Sequence, residues 1–143
     1  MIKLLPGAAL ALSLITAPLA AEPGKLAPGA VPMAGMSDDQ VIDCMFRLVR
    51  LSNTASDAAK DPATTADKRV TAETLVDQAA RGVSFYMGFI YSKPWVANRM
   101  DQSTRIFTAQ GSEKADVSAD RTTACLTRAM DAQANIFAAA LGK

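Results

Sequence analysis

The chain has 143 residues, half of them hydrophobic, with 15 basic and 14 acidic side chains and no histidine. A near-neutral balance excludes bulk attraction to nucleic acid or anionic lipid. The missing histidine excludes Ser-His-Asp and Cys-His catalysis and removes the commonest metal ligand.

Residues 1–21, MIKLLPGAALALSLITAPLAA, read as a secretory signal. Lys3 gives the positive start, Leu4–Ile15 the apolar middle and Ala20–Ala21 the small-residue exit. Cleavage after Ala21 leaves 122 residues with 14 bases and 14 acids. Residues 22–36, EPGKLAPGAVPMAGM, hold three prolines and three glycines and read as a flexible tail. The remaining segment, 37–143, is long enough for one domain with a modest core.

Ser37-Asp38-Asp39-Gln40 is a capping box, with Met36 and Val41 placed as a hydrophobic staple. The helix that follows carries Val41, Cys44, Met45, Leu48, Leu51 or Ser52, and Ala55 on one face, and Asp61-Pro62 ends it. Asp43 and Arg47 are an oriented i,i+4 pair on that helix. Residues 60–70 read as a polar linker, so a second helix starts near Pro62 or near Thr71, the later start being favoured.

Leu75–Tyr91 is the densest apolar stretch after the leader and the expected centre of the body. Leu75, Ala79, Val83, Tyr86 and Ile90 form one helical face, which Val76, Ala80 and Met87 widen. Phe85 and Phe89 lie on a second face, so the end of this helix reads as buried. Gly82 and Gly88 each cost a helix about 1 kcal/mol against Ala. Close packing of a neighbour and a ligand groove are the two readings of them. Pro94 then ends the helix.

A third helix is expected after Pro94, with Val96, Met100, Ser103 and Phe107 on one face, Ile106 beside it, and Gly111 as its stop. Lys93, Arg99 and Arg105 form a loose basic patch beside Trp95. A charged loop, 112–117, leads to Ser118 as N-cap of a last helix. Its face reads Cys125, Ala129, Ala132 or Gln133, Ile136, Ala140 and Leu141. The sequence therefore predicts an all-α, compact four- or five-helix bundle. Two cysteines in an exported chain predict one disulfide, Cys44–Cys125, tying the first helix to the last.

Chemistry-bearing motifs are few. Asp116-x-Ser118-x-Asp120 starts like a calcium loop but has Arg121 at loop position six and Thr127 at position twelve. Phosphate and dinucleotide loops are absent from the sequence, and no metal site or cofactor is expected. One methionine, Met45, Met87, Met100 or Met130, falls on each expected helix, as core filler or as an adaptable apolar surface. The candidate binding surface is Gly82, Phe85, Tyr86, Gly88, Phe89 and Trp95.

The export signal, the small helical body and Cys44 and Cys125 near its ends resemble the periplasmic acid-stress chaperones. SFYMGFIYSKPW preceding ACLTRAM is similar to small exported two-cysteine proteins of proteobacteria with no established function. The chaperone resemblance implies a non-enzymatic binding or chaperone-like module, periplasmic or secreted. Its partner would be an unknown protein or a small apolar ligand. The competing readings are a small-ligand or lipid carrier and an enzyme, or enzyme subunit, working without histidine.

Overall fold

The computed structural model describes residues 35–93 and 98–141. The expected signal and nearly all of the expected tail lie outside them. Four α-helices make up the body: α1 (Asp38–Lys60), α2 (Ala66–Tyr91), α3 (Arg99–Gly111) and α4 (Ala115–Ala140). No strand occurs among the described residues, and no helix there is long and apolar enough to cross a membrane.

The capping box starts α1 as expected. Gln40 N–H donates to Ser37 Oγ at 3.3 Å, and Ser37 N–H donates to Gln40 Oε1 at 2.9 Å. Together they satisfy two amides that a helix start leaves open. The helix ends at Asp61, whose carboxylate accepts from Ala63 N–H at 2.9 Å and turns the chain.

The second helix begins at Ala66, between the two expected starts and five residues before the favoured one. The added residues, Ala66–Val70, are exposed throughout, and burial begins only at Ala72. α1 and α2 form an antiparallel hairpin with the most extensive contact in the molecule. α4 packs against both. Val41, Ile42, Leu48, Tyr86, Ile90, Ala129 and the two cysteines form the core they share. Each fully buried Val, Ile or Leu contributes about 1.5–3 kcal/mol.

The Cys44–Cys125 disulfide is present, with Cα atoms 5.2 Å apart, and joins the first helix to the last.

Three faces differ from expectation. On α2 the buried stripe is Ala72, Ala79, Gly82, Tyr86 and Ile90, so Gly82 takes the place expected for Val83. The end of α2 is not buried all round, since Met87, Gly88 and Tyr91 are exposed. On α3 the expected stripe is not buried: Met100 is 70% exposed, and Phe107 is about half exposed, with its ring edge-on to Phe46. Arg99 and Gln110 are buried instead, and Ile106 is half-buried against the core. The reason is that α3 docks on the acids of α1 through polar side chains. On α4 the helix starts at Ala115, before Ser118, so the loop shrinks to 112–114. Cys125, Ala129 and Ala132 are buried, but Ile136, Ala140 and Leu141 in the same register are exposed. The core ends before the helix does.

Candidate functional site

The five described residues of the expected surface, Gly82, Phe85, Tyr86, Gly88 and Phe89, do not converge. Gly82 is buried where three helices meet. A Cβ there would collide with Leu48 Cδ1 and come within 3.4 Å of Ala129 Cβ. The glycine is a close-packing device, and no groove opens beside it. Tyr86 is fully buried, and its hydroxyl donates to the Cys125 carbonyl at 2.8 Å. Burial pushes its phenol up to about 12, against a smaller opposing pull from Arg128. Gly88 lies on the outer side, with open space around its Cα. Phe85 packs edge-on against Tyr86 with ring centroids 5.4 Å apart. Phe89 lies under the Lys93 ammonium, 4.6 Å from its ring centre. Trp95 lies outside the described residues. Half-buried Phe85 and Phe89 are therefore the accessible aromatics of this set.

The basic patch is not free. Lys93 pairs with Asp38, and Arg99 reaches the same carboxylate at 3.4 Å. Arg105 approaches Asp39 at 3.6 Å, and Gln102 hydrogen-bonds to Asp39 as well. The Lys93 hydrogen bond, helped by the charges of Lys93 and Arg99, holds the Asp38 carboxyl below its ordinary value against a partial desolvation cost. The first turn of α1 thus serves as the counter-charge for the end of α2 and for α3.

The polar cluster that sequence reasoning missed surrounds Arg47, which is only 3% exposed. Its Nε donates to Asp43 Oδ2 at 2.8 Å, and its Nη1 donates to Glu113 Oε2 at 2.7 Å and to Ser118 Oγ at 3.4 Å. Glu113 also holds the exposed Arg121 at 2.8 Å. Gln110 Nε2 donates to the Asp43 carbonyl at 2.8 Å and to Asp43 Oδ1 at 2.7 Å. Hydrogen bonds to both carboxylates and their charges hold Arg47 protonated, although desolvation is the largest single effect and opposes it. The Asp43–Arg47 spacing was the only signal of this cluster in the sequence. Spacing alone reads as an exposed pair, because burial comes from Glu113 and Ser118, 66 and 71 residues away.

Such a cluster fixes a corner between α1, α3 and α4. Every charge in it is matched, Arg47 and Arg121 facing Asp43 and Glu113. An open depression lined by Ser56, Ala59, Lys60, Glu73 and Val76 lies between α1 and α2, away from both the aromatics and the Arg47 corner.

No protein-family model matches the chain, and no curated protein or solved structure shows significant similarity to it. The functional reading rests on the molecule's own geometry.

Among the described residues, the end of α4 is an apolar stretch that stays exposed. Ile136 is 51% exposed, Phe137 67% and Leu141 70%, with exposed Ala138, Ala139 and Ala140 between them. No charged residue occurs from Ala132 to Leu141. Ile136 continues the register of Cys125, Ala129 and Ala132, so a core-facing stripe runs on past the core.

Proposed function

We propose that this chain is an exported, non-catalytic interaction module that binds a protein partner through the apolar end of α4. The exposed run Ile136–Leu141 carries the reading. Contiguous apolar surface on a small domain marks contact sites more often than isolated hydrophobic residues do. The disulfide supports export, since such bonds persist in oxidising compartments. The leader-like residues 1–21 agree with it. Balanced charge in the Arg47 corner favours a binding role over catalysis.

The test places a photo-crosslinking residue at Phe137 in the full exported chain, with the same residue at exposed Asp57 as control. A small set of discrete adducts at position 137, absent at position 57, is the expected result. Equal labelling at both positions, or no adduct at 137, overturns the reading. Intact mass of the exported protein should correspond to a chain beginning near Glu22; retention of Met1 removes the export component.

A further inference from the structure

We propose that α3 is a releasable strap, which lifts from α1 as a unit while the disulfide-stapled body of α1, α2 and α4 stays folded.

The seat of α3 is the observation that carries this. Its only buried residues are Arg99 and Gln110, both polar. Among the described residues, Arg99 Nη1 and Gln110 Oε1 are the buried side-chain atoms without a hydrogen-bond partner. Both therefore fall on this one helix. A buried polar atom left unpaired is unfavourable, and lifting α3 returns both atoms to water.

Little opposes that release. α3 makes its substantial packing with α1 alone, whereas α1, α2 and α4 pack on one another. Its apolar anchors are half-buried Ile106 and Phe107, the latter set edge-on against Phe46 with centroids 5.5 Å apart. Arg50 donates to the Phe107 carbonyl at 3.1 Å and lies over its ring, on the exposed side. The other ties are side-chain pairs to Asp38, Asp39 and Asp43 and the Gln110 bond to the Asp43 carbonyl, and Arg105–Asp39 is open to solvent. A helix of 13 residues is marginal in water once its packing is lost. No fully buried core side chain and no cysteine belongs to α3, so the core touches it only through Ile106 and the Cys44–Cys125 bond does not hold it. Lifting α3 uncovers Phe46 and Ile106, both of which pack against the core cluster.

Native-state hydrogen exchange on the oxidised full-length protein tests the strap. Amides from Ser103 to Gln110 should share one opening event and be protected roughly a hundredfold less than those of Leu48, Ala79 and Ala129. Arg99→Met keeps an apolar stem and removes the unpaired nitrogen; Lys93 still holds Asp38. It should raise protection of all α3 amides together by about three- to tenfold. Phe107→Ala should lower them together and leave Ala79 and Ala129 unchanged. Three results overturn the proposal: α3 exchanging only with the whole molecule, Arg99→Met leaving its protection unchanged or lower, or changes confined to the terminal amides as in simple fraying.

Discussion

The Tyr86 hydroxyl donates a 2.8 Å hydrogen bond to the carbonyl of Cys125, the residue that closes the disulfide. One buried phenol thus ties the centre of α2 to the point where α4 is covalently held to α1. The bond also gives the protein an alkaline signature. The folded phenol titrates near 12, above the ordinary value of 10. Stability from this group is complete below pH 10 and is lost as pH rises through about 12, because the unfolded chain releases the proton more readily. Absorbance at 295 nm should show a phenol ionising only near that upper limit, and Tyr86→Phe should remove it. The same variant should cost about 1 kcal/mol at neutral pH for the lost hydrogen bond, read from denaturant unfolding.

Reduction should be costly. The disulfide joins residues 81 apart in sequence, and a loop of that size constrains the unfolded chain by about 4 kcal/mol in the chain-entropy account. The double variant Cys44→Ser, Cys125→Ser should melt roughly 10 °C or more below the oxidised protein in a calorimetric scan.

The two glycines of α2 should respond in opposite directions to the same substitution. Gly88→Ala adds a methyl group in open space and should stabilise by up to about 1 kcal/mol through helix propensity. Gly82→Ala drives a methyl into Leu48 and should destabilise by about 1–3 kcal/mol despite the same propensity gain. Chemical denaturation of both variants measures the contrast, and equal shifts would show that α1 and α2 are not in close contact at that point.

Glu113→Gln should destabilise by about 2 kcal/mol or more, because it removes a counter-charge from a buried guanidinium. Adding Arg47→Met should cost less than the sum of the two single changes, since the second removes the charge that the first left unmatched. A double-mutant cycle in urea gives that coupling directly.

Local patterns settled much of this architecture. The Ser37–Gln40 capping box, the Asp61 stop, four amphipathic stretches and the cysteine pair were legible because each depends on neighbours within a few residues, or on the count of cysteines. Tertiary contact decided the rest. Whether Gly82 or Val83 faces the core depends on how closely Leu48 approaches. Arg47 is buried because Glu113 and Ser118 come from the far side of the chain. Arg99 and Gln110, not Met100, face inward on α3 because Asp38 and Asp43 of α1 await them. The apolar register of α4 runs unbroken through Ile136, yet the core stops at Ala132, and periodicity along one helix carries no information about where its partners end.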